Sequence, residues 1–227
     1  MNSYHFRPLR QSQGFTLVEM IGVLAIIAIL IALLLPKVFA LIASSNSRSL
    51  AAALRTYETA VANYYADVGT LYPLNATGVP QNENGGDSAT VRSLPARLTL
   101  DATDPLNTGA NQWVRFKGPY LEKFNTNTPP GLGTTMYMPA TPAIALGAAV
   151  TGTNVGWDLK GDDGNSDLPT GARTAYLRVD GVSDTEFNEL DGIIDAGIGT
   201  NLTERQLRGR VKYNPGNDRM YIYLAHQ

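Results

Sequence analysis

Three sets of carboxylates stand out as residues whose type and spacing could do chemistry. In the first, Asp163-Gly164-Asn165-Ser166-Asp167 places oxygen ligands at alternate positions, as the opening of a calcium loop does. With the preceding acid it offers one hard cation the side chains of Asp162, Asp163, Asn165 and Asp167. The rest of a twelve-residue calcium loop is missing, because Leu168 stands at the sixth position and Thr174 at the twelfth. A solvated Asp/Gly turn is the other reading. The second set is Asp180, Asp184, Glu186, Glu189, Asp191 and Asp195. Here Ser183-x-x-Glu186 has capping-box spacing, and Phe187, Leu190 and Ile194 fall on one helix face. These residues predict a short amphipathic helix stopped at Gly197, with most of its carboxylates facing water. Asp191 and Asp195 lie four residues apart and repel, so a cation, Arg205 or Arg208 must offset them. The third set is a single residue, Glu19, directly before the apolar run from Met20 to Leu35.

Other chemistry is poorly supplied. The chain has no cysteine and two histidines, His5 and His226, too few for a histidine-based triad or a zinc site. No glycine-rich stretch ends in the Gly-Lys-Ser/Thr of a phosphate loop. These absences point away from an enzyme. The formal net charge of −2 argues against binding nucleic acid with the whole surface. Arg205, Arg208, Arg210, Lys212 and Arg219 nevertheless make a candidate basic strip.

The elements that must position these groups begin with the apolar run. Arg7 and Arg10, with no acid among the first fourteen residues, hold the leading segment on the cytoplasmic side of a membrane. Sixteen apolar residues are short for a span, but Val38-Phe39-Ala40-Leu41-Ile42-Ala43 resumes the character after Pro36-Lys37. Lys37 can snorkel to the interface, and Pro36 removes a backbone donor and should bend or locally melt the helix. A carboxylate at the bilayer centre costs about 3 kcal/mol. Glu19 therefore needs a purpose. Thr16-x-x-Glu19 has capping-box spacing, so one purpose is to cap its own helix. A plain anchor, or a secretory signal cut near Val38-Phe39-Ala40, gives Glu19 none.

Gly14-Phe15-Thr16-Leu17-Val18-Glu19, with the basic leader before it and the apolar run behind, resembles the class III signal of type IV pilins and type II secretion pseudopilins over about residues 7–45. The resemblance implies a cut between Gly14 and Phe15 by a membrane-embedded prepilin peptidase, which also methylates the new N-terminus at Phe15. It implies that Glu19 pairs with the Phe15 amine of a neighbouring subunit, and that Pro36 is the helix-kinking proline many members carry. It further implies a helical homopolymer, assembled with a polytopic platform protein and a cytoplasmic ATPase. The precursor would be a single-pass protein of the inner membrane. The product would be an extracellular filament or a periplasmic pseudopilus. Some pseudopilins bind calcium in a C-terminal loop that lacks disulfides, which adds weight to Ca2+ at the first acidic set; no other cofactor is expected. A type II secretion pseudopilin and a minor tip pilin that captures DNA or a surface are the alternatives to a pilus subunit.

Beyond the apolar run, Leu50, Leu54, Tyr57, Val61, Tyr64 and Val68 recur at steps of three and four, with Arg48, Arg55, Thr59 and Asn63 opposite. One helix is expected from about Phe15 to Asp67, closed by Gly69. Its tyrosines at helical spacing read as core. Residues 81–88 read as an exposed loop, Pro129-Pro130-Gly131 as a turn, and Ala143 to Val150 as a short strand or packed loop. Trp113 to Lys117 alternates like a strand. Thr174 to Val179 reads as another, and Arg210 to Tyr213 with Arg219 to Leu224 as a hairpin across Asn214-Pro215-Gly216-Asn217. The predicted fold is α+β. A leader occupies residues 1–14 and a long helix residues 15–69, membrane-spanning in its first half and amphipathic in its second. This helix packs on a loop-rich outer domain, residues 70–227, with a C-terminal antiparallel sheet.

Overall fold

The computed structural model describes residues 14–75, 77–80, 94–103, 109–129, 132–142, 156–162, 166–169 and 172–227. The chain divides into a first unit ending at Leu41 and a second from Ile42 to Gln227. Helix α1, Leu17–Val68, runs through both. It ends as expected at Gly69, whose φ of +80° suits glycine and whose N–H donates to the Tyr65 carbonyl at 2.8 Å. The helix also continues through Pro36. Local melting there, expected from the lost donor, is absent from the single chain. One missing hydrogen bond is set against a long run of helix-forming neighbours.

In the second unit α1 supplies the spine of the core. Leu50, Leu54, Tyr57, Val61, Tyr64 and Val68 are all buried, while Arg48, Arg55, Thr59 and Asn63 face out. Against this stripe lies an antiparallel sheet of β1 (Thr135–Tyr137), β2 (Ala140–Pro142), β3 (Arg173–Asp180), β4 (Val211–Asn214) and β5 (Arg219–His226). The strand order is β1-β3-β5-β4, with β2 also paired to β3. The predicted hairpin is β4–β5, in register from Val211 opposite Ile222 to Asn214 opposite Arg219. One face of the sheet, carrying Leu177, Val179, Met220, Ile222, Leu224, Val211 and Tyr213, shares a core cluster with the α1 stripe. Tyr176 and Tyr221 point the other way, into a smaller cluster with Trp157, Leu168 and Ala172. The sheet is therefore covered on both sides.

Helix α3 (Asp184–Ile194) joins the main cluster through Phe187 and Leu190. Its predicted capping box is present: the Glu186 N–H donates to the Ser183 hydroxyl, and the Ser183 N–H to the Glu186 carboxylate. Among the described residues two further short α-helices occur, α2 (Leu94–Leu98) and α4 (Leu202–Leu207).

Packing, rather than charge, ties α1 to the sheet. Burying the six apolar side chains of the stripe contributes on the order of 10 kcal/mol before entropy is counted. The ion pairs along the same helix, Glu58–Arg210 and Asp67–Lys117, are partly solvated, and such pairs contribute about 0–1 kcal/mol each.

One expected strand is not a strand. Asn111–Arg115 forms a turn of 3-10 helix. Trp113 and Phe116 are buried, at 1% and 5%, whereas Val114 is 70% exposed. The burial period here is three, which a turn of helix satisfies and a strand cannot. Of the other expected segments, residues 81–88, Pro130, Gly131 and Ala143 to Val150 lie outside the described residues. The geometry predicts that Trp113→Ala costs about 3–5 kcal/mol and Val114→Ala less than about 0.5 kcal/mol in denaturant unfolding. Comparable losses from the two would contradict a buried Trp113 beside an exposed Val114.

Candidate functional site

The first unit is built from one kind of side chain. Every described residue from Gly14 to Ile42 is exposed, and between Phe15 and Pro36 the only charged side chain is that of Glu19. A helix apolar on every side is stable only when lipid or other helices surround it. α1 is also long and apolar enough to cross a membrane.

The start of α1 is fixed by a second capping box, formed by Thr16 and Glu19. The Glu19 N–H donates to the Thr16 hydroxyl at 3.3 Å, and the Thr16 N–H and hydroxyl donate to Glu19 Oε2 at 3.3 and 3.2 Å. This is the local role expected for Glu19. Its donors among the described residues are the neutral N–H and hydroxyl of Thr16. The cap also sets where helix begins. Gly14, Phe15 and Thr16 lie before the first helical residue, and Gly14 has open space around its Cα. The Gly14–Phe15 bond thus lies in unwound, accessible backbone.

The other expected sites fare differently. Asp162 is exposed, and Asp163 and Asn165 lie outside the described residues. Asp167 accepts from the Lys160 ammonium at 2.7 Å and from the Lys160 N–H at 2.8 Å. The Lys160 ammonium leads the causes that hold its carboxyl below the usual range. A cation taking Asp167 as ligand would have to displace that ammonium.

The carboxylates of α3 correct the expectation that most face water in one important respect. Asp191 and Asp195 are buried, at 1% and 4% exposed. Arg205 supplies the offset anticipated for them, with Nε and Nη2 both 2.7 Å from Asp191 Oδ2. Asp195 Oδ2 accepts the Val211 N–H at 2.7 Å. The basic strip is engaged along its whole length. Besides Arg205, Arg208 lies toward Asp158 at 3.8 Å and Glu204 at 3.9 Å, Arg210 pairs with Glu58, and Arg219 lies 3.3 Å from Asp180. Lys212 is 1% exposed, donates to the Gly156 carbonyl, and sits over the Trp157 ring at 5.4 Å. Beyond Arg205 with Asp191, sequence reasoning saw the charges but not partners such as Glu58 and Asp158, which come from other segments.

An unwound Gly–Phe bond, a capped glutamate and an all-round apolar helix, followed by an α+β domain, define a precursor anchored in the membrane through its N-terminal helix. Residues 9–35 match the prokaryotic N-terminal methylation motif. Residues 9–35 therefore carry a prepilin-type signal, which supports a type IV pilin-like or pseudopilin precursor. Comparison with curated proteins and with solved structures gives no significant match.

Gly14→Val places a branched side chain at the residue before the expected cut. The variant should remain uncut and membrane-bound, as read by intact mass and N-terminal sequencing. Normal maturation would overturn the assignment of the bond.

Proposed function

We propose that this chain is the structural subunit of a type IV pilus-like filament. The observation that carries the reading is Glu19: the one charged side chain between Phe15 and Pro36, accepting from the neutral Thr16 N–H and hydroxyl. Cutting after Gly14 creates an ammonium at Phe15. In a bundle of parallel helices, the Phe15 ammonium of one subunit can meet Glu19 of the next. Each charge alone is expensive in that setting, and the pair is far less so. The pairing would set the axial register between subunits, while the apolar side chains from Leu17 to Ile42 replace lipid contacts with one another.

On this reading the precursor waits in the inner membrane as a single-pass protein. A platform protein and an ATPase of the assembly machinery lift it into the growing polymer. Phe15 carries the methyl group, and Pro36 gives the packed helix a point of compliance. Outer domains form the filament surface. A type II secretion pseudopilus uses the same residues in the same roles, so the two are separated by where the polymer is found. A tip subunit that captures DNA draws no support from the basic strip, whose cations already face carboxylates or carbonyls within the chain.

The test is an N-terminal sequence and intact mass on sheared surface filaments, alongside Glu19→Ala. The wild-type chain should begin with methylated Phe15 and dominate that fraction. Glu19→Ala should still be cut after Gly14 but lose most of its polymer. Wild-type filament yield from Glu19→Ala would leave Glu19 with its capping role alone. A chain beginning near Leu41, or one retaining Met1, would break the filament reading.

A further inference from the structure

The junction of α3, α4 and β4 buries two carboxylates against one guanidinium. Asp191 and its neighbour one turn on, Asp195 at the end of α3, are both nearly inaccessible. Arg205 serves only Asp191 Oδ2, and its Nη2 also donates to the Asn188 carbonyl at 3.0 Å. Asp191 Oδ1 has no hydrogen-bond partner. Asp195 Oδ2 takes the Val211 N–H and lies against Gly209, where an added Cβ would come within 2.4 Å of it. Other charged groups of the packed elements are committed elsewhere. Arg208 lies toward Asp158 and Glu204, Arg210 pairs with Glu58, and Lys212 donates to the Gly156 carbonyl. If both aspartates ionise, the junction holds one uncompensated negative charge away from water, an arrangement that disfavours the second ionisation.

We propose that Asp191 and Asp195 retain one proton between them, and that this proton is a pH-sensitive latch holding α4 to α3 and β4. α4 suits such control, because none of its residues is fully buried, its apolar packing comes from the half-buried Leu207 against the Trp157 cluster, and its ties to α3 run through Arg205. A segment attached by polar contacts opens at lower cost than one attached by packing. The ionisation behaviour agrees with the geometry. Burial, with the charge of Asp191 adding to it, pushes Asp195 up to about 6 from its usual 3.8, against the opposing Val211 hydrogen bond. Burial also raises Asp191, outweighing Arg205. A carboxyl raised in the folded state binds its proton more tightly there than in the unfolded chain. Its stabilisation is complete below the ordinary aspartate range and is lost as pH rises through about 6.

The experiment is amide hydrogen exchange on the full chain in detergent micelles, at about pH 5 and about pH 7.5, corrected for intrinsic rates. Protection across residues 202–208 should fall about tenfold over that interval in the wild type, the change expected from releasing one such proton. Asp195→Asn mimics the protonated acid and should keep α4 protected at both pH values. A wild type with pH-independent protection, or an Asp195→Asn variant that keeps the wild-type dependence, would overturn the latch. Should that variant fail to fold, infrared spectroscopy of the wild type decides. A protonated carboxylic C=O band present at the lower pH and lost at the higher supports the proposal, and its absence at both overturns it.

Discussion

The constraint on which the rest of this structure depends is that one helix must satisfy two solvents. From Leu17 to Ile42, α1 exposes apolar side chains in every direction; from Leu50 to Val68 it buries one stripe and shows polar residues opposite. Neither half could exchange composition with the other. An all-round apolar second half would leave Arg48, Arg55, Thr59 and Asn63 without polar successors, and the outer domain would present a greasy flank. A one-sided first half would put polar groups into hydrocarbon, each without water to satisfy it. The single departure from this division, Glu19, falls at the first turn. There its carboxylate can still cap the free N–H groups and remain close to the new N-terminus.

The sheet is subject to a related constraint. An antiparallel sheet can leave one face wet, but here both are covered, so polar residues on the second face are trapped. Lys212, opposite Tyr221 on that face, shows the consequence. Burial pulls its pKa down to about 8 from 10.5, with Asp158 opposing the shift. The stem cannot snorkel out, so the ammonium settles for the Gly156 carbonyl and the Trp157 ring face. Because the folded value is depressed, the fold loses stability as pH falls from 10.5 to about 8, and below that the full cost of keeping this group charged stands. A chain without cysteines has no covalent bond to absorb such costs, and the main cluster around Tyr64, Leu177 and Ile222 must do so.

What could be read from the sequence follows from the range of the interactions involved. The α1 stripe, the caps at Thr16 and Ser183, the stop at Gly69 and the β4–β5 hairpin are local: each is fixed by residues within a few positions of one another. Trp113 to Lys117 misled because five residues that alternate between bulky and polar types fit a strand, while the burial of Trp113 and Phe116 at a spacing of three depends on neighbours such as Tyr64 and Tyr120. The burial of Asp191 and Asp195 was hidden for the same reason. On α3 alone their face looks solvated; α4 and β4, arriving later in the chain, close over it. The basic strip is the mirror case, a run of cations in sequence whose partners come from α1, α3 and β3.

Assembly and folding draw on different residues of the same helix. Among the described residues, no side chain before Leu50 belongs to the main apolar cluster, and those from Gly14 to Ile42 contribute none of the core. Changes in the first half can therefore alter how α1 packs against lipid or other helices without removing a contact that holds the outer domain together. Changes in the stripe from Leu50 to Val68 do the reverse, acting on the fold first. This separation lets a surface domain vary behind a fixed N-terminal segment. Residues 9–35 match a family model, while the chain gives no significant match among curated proteins or solved structures. On the proposed reading, the segment that must fit a peptidase and a bundle is tightly specified, whereas the domain behind it need only close its own core.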